Sequence, residues 1–472
     1  MKQGFNPYLP SWEYIPDGEP HVFGDRVYVY GSHDRFNGYS YCLNDYVCYS
    51  APVTDLTDWR YEGVIYGRSD DPRNPSGEAA LYAPDVCRGV DGRYYLYYVL
   101  DEENIVSVAV CDRPAGRYQF YGYVHDDQGG ILGEREGDEP QFDPGVLCED
   151  GKCYLYTGFC FPRDPSRHGP MATVLGPDML TIVEEPRFIM PSGYYSAGSG
   201  YEGHEFFEAS SLRKVNGKYC FIYSSVQSHE LCYAMSDSPV EGFTYGGTLV
   251  SNVDKGIAGY KAADALVGCP DNNHGSLEQI NGKWYIFYHR HTNNHGFSRQ
   301  GCIEPIELGA DGKFIQPEIT SCGPNGGPLA GEGTYPAYIA CNFIFDAPES
   351  ARRVMPGKRR SPAFPFVTQD GRDGDEIPGH VANIDPGVLV GFKYFDCQGA
   401  AVTAVATRGY CHGALEVLTA IDGEPLGSIE VGRSNEWKTW TGHIAIPDGV
   451  QAIYFRFKGF GFVSLKEFTL GK

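Results

Sequence analysis

Several things are missing from this chain of 472 residues, and each absence removes a class of function. Basic residues are outnumbered, 38 Lys and Arg against 61 Asp and Glu, for a formal charge of −23. That balance argues against nucleic acid or an anionic membrane as partner. No apolar run is long enough to span a bilayer. No basic segment followed by an apolar stretch opens the chain, where Asn6, Trp12, Glu13 and Asp17 stand instead, so a signal peptide is not expected. The 15 cysteines form no CxxC pair, and Cys153, Cys220 and Cys397 sit inside strand-like text as small hydrophobes. A reduced, cytoplasmic protein is the simplest expectation, or a secreted one if a leader has been trimmed. No long stretch repeats at the helical period.

What is present is aromatic residues, glycine and proline, arranged as many short strands joined by turns. Five segments repeat one text: Gly24-Asp-Arg-Val-Tyr-Val-Tyr, Gly92-Arg-Tyr-Tyr-Leu-Tyr-Tyr, Gly151-Lys-Cys-Tyr-Leu-Tyr, Gly217-Lys-Tyr-Cys-Phe-Ile-Tyr and Gly282-Lys-Trp-Tyr-Ile-Phe-Tyr. Each is a turn glycine followed by a buried-strand composition. The glycines are 68, 59, 66 and 65 residues apart. This long period predicts an all-β chain with a five-bladed β-propeller over residues 1–315. Seven to nine residues before the glycines stand Asp17, Asp85, Asp143, Glu208 and His274. Radial repetition would bring these five toward one central channel.

At this length two domains are expected. A Gly/Pro-rich connection over 316–339 leads into a different text from 340 to 472, whose alternating runs between glycines predict a β-sandwich of jelly-roll type. The basic run from Arg352-Arg353 to Lys358-Arg359-Arg360 reads as a solvated loop.

Asp17, Asp143 and Glu208 stand in apolar or Pro/Gly settings: Ile15-Pro-Asp-Gly-Glu-Pro-His-Val-Phe23, Gln141-Phe-Asp-Pro-Gly-Val146 and Phe206-Phe-Glu-Ala-Ser-Ser-Leu212. Partial burial raises a carboxyl pKa and mutual repulsion separates neighbouring ones, so one can stay protonated while another ionises. A lone Asp of this kind serves as a turn or cap residue; three at equivalent repeat positions point to acid–base chemistry.

Residues 4–310 resemble glycoside hydrolase family 43. The motifs that carry the resemblance are Asn6-Pro-Tyr-Leu-Pro, Tyr30-Gly-Ser-His-Asp34, Tyr82-Ala-Pro-Asp-Val86, Phe142-Asp-Pro, Phe207-Glu-Ala-Ser-Ser and Asn273-His-Gly-Ser, spread over every blade. The resemblance implies an inverting hydrolase with Asp17 as general base, Asp143 as the group that tunes the acid's pKa, and Glu208 as general acid. The family's base is commonly followed by proline, whereas Gly18 follows Asp17 and Pro20 follows Glu19. Counting back from His21-Val-Phe23 selects Asp17; counting from proline would select Glu19. We take Asp17, which preserves the length to the following strand. Asp85, Arg299 and His274 are expected to contact substrate or organise the site, with Arg299 either holding a sugar hydroxyl or pairing with a carboxylate. His274 is the one candidate metal contact: no cofactor is required, and a structural calcium or a water cluster would lie beside it in the channel. Trp12 and Phe36, with Tyr8 and Tyr201, are candidate pocket-wall aromatics.

Residues 340–472 resemble carbohydrate-binding module family 6 through Phe366-Val-Thr-Gln-Asp-Gly371, Val381-Ala-Asn-Ile384, Gly391-Phe-Lys-Tyr-Phe395, Thr407-Arg-Gly409 and Phe455-Arg-Phe-Lys-Gly-Phe460. These are scaffold motifs. Trp437, Trp440 and Tyr410 are the aromatics that could meet sugar, although a module packed on the propeller is the preferred reading. The expected activity is release of a terminal pentose from plant oligosaccharide or polysaccharide, α-L-arabinofuranose first, with β-xylosidase or galactofuranosidase as alternatives. A propeller that binds glycans without turnover is the competing class. A phosphorylase would need a basic pocket beside the acid, and the sequence shows no such cluster.

Overall fold

The structure is a computed structural model and describes residues 3–353 and 364–472. Four blades have four antiparallel strands each and the fifth has three. Their innermost strands are Glu19–Phe23, Asp85–Arg88, Gly145–Glu149, Phe206–Val215 and Leu277–Ile280. The five repeated runs form the second strand of each blade: Arg26–Tyr30, Tyr94–Tyr98, Lys152–Thr157, Lys218–Ser225 and Lys283–Arg290. Each leading glycine occupies the hairpin between first and second strand at positive φ, from 69° at Gly24 to 85° at Gly92. An L side chain rarely adopts that conformation, which is why the repeat begins on glycine.

The second strands are hydrophobic on both faces because a blade is sandwiched between two others. Tyr95 and Tyr97 pack against the third blade, while Leu96 and Tyr98 pack back onto the first. Phe221 and Tyr223 face the third blade and Ile222 the fifth. Val27, Val29, Phe287 and Ile303 close the core between fifth and first. Side chains alternate along a strand, so burial of both faces erases the polar alternation of a half-exposed sheet. The ring closes through an isolated bridge between Gly18 and Gly275, and a Ser211–Ser276 hydroxyl contact of 2.7 Å ties the fourth blade to the fifth. Asn6 and Tyr8 complete it by bonding to Ile303 and Gly301 on the edge of the three-stranded blade.

The C-terminal part is one ten-stranded sheet curled around its own apolar core. Its longest strands, Ala401–Leu418 and Gly427–Ala445, pair along their length. The other edge of Ala401–Leu418 pairs first with Val463–Gly471 and then with Gly449–Gly461, and this change of partner curls the sheet. Several glycines read as turns lie inside these strands. A Cβ on Gly413 would come within 2.2 Å of the Lys458 carbonyl oxygen, and one on Gly459 within 2.3 Å of that of His412, so both serve close backbone approach. The 316–339 segment is more than a connection. Leu329–Ala330 and Gly333–Pro336 are strands of the C-terminal sheet, and Leu329, Tyr335 and Ile339 belong to its core.

The two parts are bonded tightly to each other. Lys393 of the C-terminal sheet is fully buried and reaches Asp254 at 3.3 Å and Glu318 at 3.0 Å. Arg290 donates to the carbonyls of Ala340 and Cys341. Arg352, expected in a solvated loop, is instead buried and donates to the Phe345, Ala347 and Gly268 carbonyls. Lys358, Arg359 and Arg360 lie outside the described residues. None of the 15 cysteines is in a disulfide.

Candidate active site

The starts of the inner strands meet at one end of the propeller channel, around a cavity of about 180 Å³. Asp17, Asp143, Glu208, His274 and Arg299 line it together with Tyr41, Cys42, Tyr82, Phe142, Phe159 and Asn272. Asp17 and Asp143 sit just before their strands with positive φ, 58° and 44°. Glu208 stands at a bulge in its strand beside Ala209, whose φ is 68°. Such sparsely populated backbone conformations aim side chains that a regular strand would point elsewhere.

Asp17 and Glu208 are in opposite electrostatic states. Asp17 is almost fully buried, and burial alone would raise its pKa. The Arg299 guanidinium, 2.9 Å from Oδ1, and His289 outweigh burial and hold the carboxyl well below its usual range. The His289 ring lies between Asp17 and Asn272, with Nδ1 3.2 Å from Asp17 Oδ1 and Nε2 2.8 Å from the Asn272 carbonyl oxygen. At Glu208 the charges of His274 and Arg299 do not offset burial. Burial first, and the Asp143 carboxylate second, push its carboxyl up to about 8; Asp143 acts on it more strongly than Asp17 does. Asp143 accepts a hydrogen bond from the Ala209 N–H at 3.2 Å, next to the residue it influences.

His274 joins these groups from below. Its Nδ1 lies 3.5 Å from Asp143 and 4.0 Å from Asp17, and its Nε2 lies 3.9 Å from Glu19. Burial would lower the imidazole pKa, but Asp143, Asp17 and Glu19 outweigh it and push it up to about 9. Glu19 does not line the cavity. It lies deeper in the channel, held by Arg213 at 2.7 Å and Ser211 at 3.0 Å, so of the two acids between Pro16 and His21 only Asp17 faces the cavity.

Arg299 pairs with carboxylates. It is clamped by Asp34 through Nε at 2.9 Å and Nη2 at 3.0 Å, which leaves Nη1 for Asp17, and its guanidinium lies over the Tyr41 ring. Two basic groups therefore do line the cavity, although the sequence showed no cluster. Both are engaged by carboxylates: Arg299 by Asp34 and Asp17, His274 by Asp143.

Other expected residues are placed elsewhere. Asp85 does not line the cavity: it accepts from the Val86 and Val146 N–H groups and pairs with His21 at 2.6 Å, tying second and third blades in the channel. Phe36 stacks on Tyr14 outside the cavity, and Trp12 is also absent from its lining. Tyr8 and Tyr201 are core residues. Asp34 lay in a recognised motif without a role, and His289 and Tyr41 carried no signal, since each acts through a partner far away in the chain.

Calcium takes six to eight oxygen ligands, water among them, so a calcium beside His274 would draw most of its ligands from water. Among the described residues only Glu19 Oε1 is a buried carboxylate oxygen without a hydrogen bond there. Both Asp85 oxygens are occupied, and the Arg213 guanidinium stands beside Glu19.

Comparison with known proteins gives the family. The profile of the glycosyl hydrolases family 43 matches residues 16–314. A protein of Thermoclostridium stercorarium named xylosidase/arabinosidase is 61% identical over 99% of both chains. A xylosidase/arabinosidase 43A of Humicola insolens is 31% identical over 64% of this chain and 96% of its own. Among solved structures, a β-xylosidase/α-arabinofuranosidase from a compost metagenome, in a calcium-free form with xylotriose, superposes with a TM-score of 0.52 at 26% identity, covering 67% of this chain and 98% of that one. An arabinoxylan arabinofuranohydrolase of Bacillus subtilis shares the fold over 99% of this chain and 97% of its own, with a TM-score of 0.53 at 21% identity. The chain is a glycoside hydrolase and belongs to glycosyl hydrolases family 43.

Proposed function

We propose that the protein removes a single terminal pentose from plant-derived oligosaccharides with inversion, accepting α-L-arabinofuranosides and β-xylosides. The observation that carries the mechanism is the opposed ionisation of Asp17 and Glu208 in one cavity. Asp17 stays a carboxylate and takes a proton from the attacking water. Glu208 stays protonated at neutral pH and gives its proton to the departing oxygen. Asp143 keeps that proton on Glu208 by its negative charge. Inversion needs acid and base on opposite sides of the bond with space for a water, about 6.5–9.5 Å between carboxyl groups. The transition state is oxocarbenium-like, and the surrounding carboxylates favour it. The cavity is well under the 300–1,000 Å³ typical of drug-sized sites, which suits one sugar ring and exo action. The double name of the 61% identical relative supports the pair of glycones.

The C-terminal sheet, whose text resembles carbohydrate-binding module family 6, acts in this reading as a brace. Asp373 accepts the Phe36 N–H and an Asn44 side-chain N–H, and Gln369 accepts the Tyr14 hydroxyl, so the 366–379 segment supports the loop that carries Tyr41 and Cys42 into the cavity. Trp440 packs on the sheet's core and donates to Thr407, and Trp437 sits against His380; only Tyr410 of the three candidate aromatics is exposed.

A panel of aryl arabinofuranoside, xyloside and galactofuranoside, assayed with wild type and Glu208→Gln, tests the function. Cleavage of the first two is expected, with the variant losing most on poor leaving groups because good ones need little protonation. Binding of pentosides without turnover would instead favour the non-catalytic class.

A further inference from the structure

Four phenylalanine rings run from the wall of the catalytic cavity to the surface. Phe142 and Phe159 line the cavity, with centroids 5.2 Å apart. Phe159 meets Phe161 at 4.8 Å and Phe207 at 5.1 Å, and Phe161 and Phe207 are 5.9 Å apart. Phe161, at the outer end, is 55% exposed. A single exposed phenylalanine needs no explanation, but this one ends a continuous apolar path that begins where bond cleavage occurs.

The path also has a direction. Phe207 directly precedes Glu208 and Phe142 directly precedes Asp143, so the rings stand with the acid and its tuning group. The surroundings of Asp17 are different, made by Arg299, His289 and Tyr41. In an inverting hydrolase the acid protonates the oxygen that leaves with the aglycone, on the side away from the base. The cavity has room for the terminal ring, so the rest of the substrate must lie beyond it on the acid's side. There it meets flat aromatic faces, which bury the C–H face of a pyranose ring well.

We infer that Phe159, Phe161 and Phe207 form the aglycone platform, a binding site for the neutral pyranose ring from which the pentose is removed. This rests on the glycosidase reading above. Phe161 is then a specificity-determining residue: its ring adds affinity for substrates that carry a sugar aglycone.

The test compares two substrates with the same pentosyl group, a disaccharide with a pyranose aglycone and the pentosyl fluoride, whose leaving group has no ring. For Phe161→Ser the ratio of kcat/KM values, disaccharide over fluoride, should fall about tenfold, equivalent to about 1.4 kcal/mol, and Phe161→Tyr should restore most of it. A ratio equal to wild type, with or without a common fall on both substrates, would overturn the platform while leaving the glycosidase reading intact. If wild type cleaves neither substrate, both readings fall.

Discussion

Replacing His274 with asparagine should destabilise the protein in a way that depends on pH. His274 is buried among Asp143, Asp17 and Glu19, and their charges raise its pKa from the ordinary 6.5 to about 9. A group whose folded pKa is raised contributes stability that is fully present below its unfolded pKa and is lost as pH rises through the folded one. The interval from 6.5 to about 9, at about 1.36 kcal/mol per pH unit, corresponds to about 3 kcal/mol. Wild type should therefore exceed His274→Asn by about that amount near pH 6, and the gap should close as pH passes 9. Urea unfolding of both proteins by tryptophan fluorescence, at intervals between about pH 6 and 10, measures the difference and cancels groups that titrate alike in both. A gap that stays constant over this range would refute the reasoning, because it would mean that His274 is uncharged and serves only to fill space.

Two further outcomes follow from buried charges. Arg299→Met removes the cation that holds Asp17 ionised. Asp17 must be a carboxylate to act, so activity is lost as pH falls through its pKa, and the acid limb of kcat/KM should move up by about 1–3 pH units; an unmoved limb would assign Arg299 another role. Lys393→Met strands Asp254 in the junction between propeller and C-terminal sheet, at a cost of about 3–5 kcal/mol in unfolding free energy. The double variant with Asp254→Asn should recover most of it, and no recovery would show that the pair is not what Lys393 supplies.

The sequence disclosed the propeller well because its signals are local. A turn glycine at positive φ and a strand buried on both faces leave the same short text in every blade, at Gly24 as at Gly282. The regular offset of Asp17, Asp143, Glu208 and His274 from those glycines placed all four at one channel end. Asp85 shares the offset, yet its oxygens are taken by His21 and by the backbone of the next blade, a competition that spacing does not record. The Asp34–Arg299 clamp joins residues 265 positions apart, and Glu19–Arg213 joins residues 194 apart, so neither could be read locally. Aromatic composition misled for Phe36 and Trp12 because the same residue type builds blade cores and pocket walls. The C-terminal glycines misled for a similar reason: Gly413 and Gly459 permit close strand approach where a turn was expected.

The central claim is that Asp17 and Glu208 act on opposite sides of one glycosidic bond. Proton NMR of the sugar first released from a pentoside of known anomeric configuration tests it most directly. The account predicts that the anomeric signal of the inverted sugar appears first and the other grows only by mutarotation. Initial appearance of the retained anomer would contradict the assignment of Asp17 as base and Glu208 as acid.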